Sequence, residues 1–213
     1  MRPFFVCLLL AASAEAGEFF AGAMGGVATI SADARTVGTP PAQFSAYKPQ
    51  NGPSALAFGG RHFNNYFSAQ LSYAWNRNNL VFSGADVLSG ASYEQPGQAT
   101  LHTVVAEAMV YFRPAKSRVR PYLSAGPGVT VLRAAVGPLL VRGTLPVPDG
   151  PVHSTRPSVR VAVGMDVRMG RNVWFRYSFC ETIQRNPLSQ ALRPPAQRNL
   201  ANFQNLWGVS WQF

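Results

Sequence analysis

Cysteine is nearly missing from this chain: Cys7 and Cys180 are its two copies. Cys7 falls inside an N-terminal segment that reads as cleavable, so one thiol is left and an intramolecular disulfide is excluded. Cys180 then reads as a small packed side chain. Lysine is scarce too, two residues against seventeen arginines, and acidic residues number nine. Charged residues make up 13% of the chain, about half the share of an average soluble domain. With 47% apolar and 12% aromatic residues, this poverty of charge does not signal disorder. Also lacking is any apolar run of roughly 20 residues, the length a membrane helix needs. A membrane-embedded form would have to cross as strands.

What is present begins at the N-terminus. Arg2 precedes the apolar run Phe4 to Ala12, followed by Ala14, Glu15 and Ala16, the pattern of a secretory signal peptide. Residues 1–16 are expected to be removed before Gly17, leaving residues 17–213 as one domain. Arg2 and Glu15 leave together, so the net charge stays at +10. Such an excess favours acidic partners: anionic lipid, acidic polysaccharide or nucleic acid. Export and the lack of a recognisable module exclude nucleic acid.

Strict alternation recurs along the chain. In Ser158 to Arg168 the odd positions are Val159, Val161, Val163, Met165 and Val167, and the even ones are small or charged. Val173 to Ile183, Val104 to Arg113, Tyr122 to Val131 and Phe67 to Asn76 repeat the pattern, although Trp174 sits on a polar face. With Phe19 to Ile30, Leu56 to Phe63 and Ala201 to Phe213, eight strands result. "AGAMGG" in the first strand leaves open which of its faces points inward.

The connections sort into two classes. Asn64-Asn65, Pro114 to Arg118 and Met169 to Asn172 are short, whereas Ser31 to Pro53, Arg77 to Thr100, Ala134 to Thr155 and Gln184 to Leu200 are long. Membrane barrels place short turns on the periplasmic side and long loops outside. The face opposite the apolar one carries Gly, Ser, Ala, Gln, Arg and Glu, which suits a narrow lumen better than a shell facing water. The expected fold is all-β, an eight-stranded antiparallel up-and-down transmembrane β-barrel, closed so that no edge remains. Two irregularities are expected: a bulge near Pro127, because proline donates nothing to a ladder, and a bulge or short band where Asn205 interrupts the lipid-facing register.

The chain ends in "LWGVSWQF", with Trp207, Val209, Trp211 and Phe213 at alternate positions. This ending resembles the C-terminal signal that the outer-membrane assembly machinery reads in barrel proteins. With the leader and the sorted loops, the whole mature chain resembles a small bacterial outer-membrane barrel of the OmpA/OmpX type. That resemblance implies residence in the bacterial outer membrane and the assembly machinery as a partner. A monomer is expected.

Three sets of residues are candidates for function. Glu107, Arg120, Arg160, Asp166, Arg168 and Arg176 face inward and would form a polar network plugging the lumen, with Asp166 and Arg176 neighbours on one hairpin. Trp207, Val209, Trp211 and Phe213 form the assembly signal. Arg142, Arg156, Arg185, Arg193 and Arg198 would make the outer loops cationic and contact lipopolysaccharide phosphates or an acidic surface polysaccharide. Enzymatic chemistry finds no support. His62, His102 and His153 share no metal-ligand spacing, and His102 is followed by Thr103 and Val104, so the His and Ser two apart of the lipid A deacylases are missing. Neither cofactor nor metal is expected. The leading reading is a structural or adhesin-like surface protein with a plugged lumen. A narrow porin-like channel is the first alternative, and a soluble secreted barrel that carries a ligand on an inward apolar face is the second.

Overall fold

The computed structural model describes residues 19–38, 43–144, 150–192, 195 and 197–213. The expected leader, residues 1–16, and Arg193 lie outside the described residues.

Eight long strands form a ring: β1 (Phe19–Ile30), β4 (Gly52–His62), β5 (Phe67–Asp86), β6 (Ser92–Tyr111), β7 (Val119–Val136), β9 (Val152–Arg168), β10 (Val173–Arg185) and β11 (Asn199–Gln212). Every neighbouring pair is antiparallel. β5 pairs with both β4 and β6, and β1 pairs with β11, so the circuit closes. Phe19, Phe213 and the three short turns lie at one rim, where the Phe213 N–H donates to the Phe19 carbonyl at 2.9 Å. The opposite rim carries the additions: the hairpin β2 (Asp33–Val37) and β3 (Gln43–Pro49) on the upper part of β5, β8 (Leu140–Arg142) on β6, and the helix α1 (Pro187–Ala191).

The strands are longer than the alternation suggests, and much of what reads as long loop is ladder. β5 and β6 stay paired from Phe67–Val110 up to Ala85–Ser92. The cause is an inversion of polarity along each strand. Toward the short-turn rim the outward residues are apolar, as in Phe67, Leu71, Tyr73, Val104, Val110, Val159 and Val163. Past Trp75 the outward positions of β5 become Arg77 and Asn79, while the inward ones become Leu80 and Phe82, both buried. β6 and β7 switch likewise, with Thr100 and Arg133 outward and Leu101, Leu132 and Ala134 inward. Below the switch the barrel presents its apolar face to lipid; above it the wall faces water over an apolar interior.

Neither expected bulge is present. β11 keeps one register against β1 and β10 through Asn205, whose side-chain carbonyl accepts the Tyr177 hydroxyl at 2.7 Å on the outer face. At Pro127 the β6–β7 ladder skips residues 106 and 107 and resumes in the same register, while β7 and β9 stay paired throughout. The proline thus costs local bonds without shifting the strand. Pro121 keeps its acceptor role, its carbonyl taking the Phe112 N–H at 3.0 Å.

In β1 the even residues point inward, with Phe20, Met24, Ala28 and Ile30 buried. The glycines between them permit close approach to β11: a Cβ on Gly26 would collide with the Asn205 carbonyl, whereas one on Gly25 would have nothing nearer than 4.0 Å. Gly26→Val is therefore expected to destabilise the barrel by about 1–3 kcal/mol and Gly25→Val to leave it nearly unchanged. The temperature at which the folded band disappears on SDS gels, compared for the two variants, checks this.

Candidate functional site

The interior is layered. At the short-turn rim, the Arg120 guanidinium lies 3.9 Å from the Tyr111 ring centroid and Arg168 lies 4.7 Å from that of Trp174. Arg120 also donates to the Asn65 carbonyl at 3.0 Å and Arg168 to the Ala115 carbonyl at 2.9 Å. Both arginines thus hold turns and aromatic faces; among the described residues neither has a carboxylate within salt-bridge distance.

The next layer holds the strongest pair. Arg176 and Asp166, opposite each other on β10 and β9, make two bonds of 2.6 and 2.7 Å. Arg176 also donates to Gln70 at 2.7 Å and to the Tyr111 hydroxyl at 3.0 Å, and that hydroxyl donates to Asp166 at 2.8 Å. Phe58 lies under the guanidinium at 4.4 Å. Paired ionic hydrogen bonds with every acceptor engaged are the arrangement in which buried charge is tolerable.

Above it, Glu107 accepts from Gln70, Ser72 and Ser124 at 3.0, 2.8 and 3.1 Å. Arg160 reaches it only at 3.9 Å and donates instead to the Cys180 sulfur at 2.7 Å. Four inward arginines face two carboxylates among the six residues expected to line the lumen. Aromatic rings, carbonyls and a thiol take up part of the remaining cationic edges, while the Nε atoms of Arg120, Arg160 and Arg168 and Nη1 of Arg160 stay buried without a hydrogen bond. The sequence signal for these rings was weak, because Phe20, Phe58, Tyr111 and Tyr122 fall on faces that also carry Gly and Ser.

The outer half of the lumen is apolar. Ile30, Leu80, Phe82, Leu101, Leu132 and Leu200 pack with Leu188 of α1 and Leu192 just after it. Asn186 caps α1, its side-chain oxygen accepting the N–H groups of Leu188 and Ser189, and its amide donates to the Tyr47 hydroxyl at 2.6 Å. Burial pushes that hydroxyl above its ordinary pKa. Asp33 closes the mouth, accepting from Ser189 and Arg35, both at 2.5 Å, with Arg198 at 3.5 Å.

The cationic residues expected in loops divide. Arg198 reaches Asp33 from the exposed end. Arg142 ends β8 and is exposed, and Arg185 ends β10 and is exposed. Arg156 lies within β9 on its inward face, donating to Ser154 at 3.1 Å. Three of the five are thus strand residues rather than loop residues, because the ladders run on past the apolar band. Trp207, Val209, Trp211 and Phe213 all lie exposed on the outer wall, in a line from the middle of β11 to the short-turn rim. Sequence reasoning missed the contact of His62 with Ser68 at 2.6 Å; the imidazole packs 4.6 Å from the Phe20 ring, a structural berth at the lumen floor. Among the described residues no group of three or more His, Cys, Asp or Glu could hold a metal ion.

Removing half of the Asp166–Arg176 pair leaves a buried charge without a partner. Asp166→Asn is expected to cost about 3–5 kcal/mol. Glu107→Gln should cost distinctly less, since three neutral donors hold it and its arginine stands at 3.9 Å without a hydrogen bond to it. Thermal unfolding of the two variants in one detergent tests the order.

Two solved structures share this architecture. Neisserial surface protein A superposes with a TM-score of 0.57 at 16% identity, over 94% of this chain and all of that one. The outer membrane protein OprG from Pseudomonas aeruginosa gives 0.54 at 13% identity, over 93% of this chain and 96% of that one. At such identities the likeness speaks for the fold. No curated relative matches significantly. The sequence profile of the outer membrane protein beta-barrel domain matches residues 4–213. A closed strand ring, an apolar outer band and that match together make the chain a member of the outer membrane protein beta-barrel domain family, resident in the bacterial outer membrane.

Proposed function

We propose that this barrel does not conduct and acts through its exposed end, as an adhesin-like surface protein for acidic groups. One observation carries the reading: the outer half of the lumen is filled by a twelve-residue apolar cluster that includes Leu188 and Leu192, both fully buried. A water-filled path would have to displace α1, its Asn186 cap and the Asp33 contacts together. The exposed Arg142, Arg185 and Arg198 favour an acidic partner such as lipopolysaccharide or an acidic polysaccharide. The narrow channel remains the second reading on one observation. Arg160 keeps two buried N–H groups without a partner, beside a carboxylate 3.9 Å away, which leaves a polar site in mid-lumen. The soluble carrier is set aside, because the exposed apolar band lies on the outer wall of an outer-membrane family member.

In planar bilayers the refolded chain is expected to give no conductance steps, while deletion of residues 187–192 opens steps of small, uniform size. Steady conductance by the unaltered protein would sink the plugged reading and install the channel. The terminal residues support a separate reading, recognition by the assembly machinery. Deleting Phe213 is expected to lower the amount of heat-modifiable protein in outer membranes several-fold without preventing refolding in detergent. Unchanged membrane levels would remove that role.

A further inference from the structure

The polarity switch leaves a patch on the outer wall that neither the lumen nor the exposed end accounts for. Three successive rows of the ladder cross β5, β6 and β7 just above the apolar band. In the lowest, Arg77 pairs with Thr100, Thr100 with Arg133, and Arg133 with His153 on β9. In the middle one, Asn79 pairs with Gln98 and Gln98 with Ala135, and the Gln50 N–H donates to the Asn79 carbonyl at 2.7 Å. In the upper one, Lys48 of β3 pairs with Val81 and Val81 with Pro96. Arg77, Arg133, His153 and Lys48 are all exposed. None of the rows contains a carboxylate; the nearest along β6 is Glu94, two residues past Pro96. Among the described residues the side chains of Arg77 and Arg133 have neither an acidic partner nor a hydrogen bond, their backbones being paired in the ladder.

Residues of the upper two rows border a shallow pocket of about 490 Å³, whose lining includes Gln50, Asn79, Val81, Pro96, Gln98 and Ala135 beside the buried Leu80. Its polar floor is the pair of amides Asn79 and Gln98, joined at 3.0 Å, which leaves further donors and acceptors of both side chains open. Arg77 and Arg133 stand two strands apart, about 10 Å between backbones, with the Thr100 hydroxyl between them. Two arginine side chains can converge across that gap on one tetrahedral anion and bind it by charged hydrogen bonds. Amides beside a shallow pocket suit the hydroxyls of a sugar ring.

Depth decides where such a ligand comes from. Directly below Arg77 and Arg133 on the same outward faces lie Trp75 and Val131, the last members of the apolar band. Trp75 pairs with His102, which bonds the Tyr73 hydroxyl at 2.7 Å, an interfacial arrangement of aromatic and polar groups. The cationic row therefore stands at the level of the outer-leaflet headgroups. We infer that Lys48, Arg77, Thr100, Arg133 and the Asn79–Gln98 pocket form a binding site for the phosphorylated sugar headgroup of an outer-leaflet glycolipid. The site rests on the acidic-partner part of the function proposed above. It does not depend on whether the lumen conducts, so a conducting barrel would leave it standing.

The test uses the full mature chain refolded in detergent, with diphosphorylated lipid A in mixed micelles as the probe and titration calorimetry as the readout. Binding by the unaltered protein is expected. The Arg77→Gln/Arg133→Gln double variant should bind at least tenfold more weakly, as the loss of charged hydrogen bonds implies. Arg113→Gln/Arg171→Gln removes the same charge at the opposite rim and should change nothing. Lipid A stripped of both phosphates, offered to the unaltered protein, should bind as weakly as the double variant tolerates the intact lipid, a comparison that needs no variant to fold. Equal affinity of the first double variant and the unaltered chain would overturn the site. An equal loss in both double variants would reduce it to general charge. Arg77- and Arg133-dependent binding of a soluble sulfated polysaccharide, with lipid A inert, would overturn the glycolipid assignment while sparing the acidic-partner reading.

Discussion

Inside a bilayer no water is available to a backbone N–H or C=O, so each must find its partner within the protein. The closed circuit of eight strands meets that demand, and the rest of the molecule is arranged around it. The demand explains why Pro127, with nothing to donate, is absorbed by omitting contacts over two residues of β6 while the register on either side is held. A shift by one residue would turn every side chain of a strand to its opposite face. Here that would put arginines into lipid and valines into the lumen. Losing a few local bonds is the smaller penalty.

Once the ring is fixed, the interior becomes a problem of charge. Near the membrane level the lumen-facing positions mix polar groups with buried apolar and aromatic ones such as Phe20, Met24, Phe58 and Met109, yet four arginines and two carboxylates cannot pair one to one. The protein resolves the imbalance unevenly. One pair, Asp166 with Arg176, is fully bonded, whereas Arg120 and Arg168 rest on aromatic faces and turn carbonyls. Above this zone the inside turns apolar, and Leu188 of α1 packs into it. The barrel thus joins two solvent regimes in one set of strands, with lipid outside and polar contacts inside below, then water outside and a conventional core above.

That inversion also marks what could be read from residues alone. Ser158 to Arg168 was legible because its whole outward face lies within the apolar band. The upper parts of β5 and β6 were not. There Arg77, Asn79, Ser83, Glu94 and Gln98 point to water, and Leu80, Phe82 and Leu101 are the buried partners, so the alternation changes phase relative to the lower strand. Gly and Pro in the same stretches reinforce the appearance of loops. The neighbourhood of Asp166 and Arg176 was legible, since a hairpin with a four-residue turn fixes who faces whom. The rings around Arg176 were not, because Phe58 comes from a strand distant in sequence and Phe20 from β1, whose glycines blur its two faces. The packing of α1 against the interior left no periodic trace, being a single short turn of helix within a stretch of loop composition.

The glycines of β1 carry one more implication. Joining β1 to β11 is the most non-local pairing in the chain, so the loop-closure entropy it requires is the largest the molecule meets. The seam it makes is smooth: Gly22, Gly26 and Gly208 let the two backbones approach without interlocking side chains. Such a joint can be fastened last, after the other seven pairings have shaped the sheet, with little side-chain rearrangement.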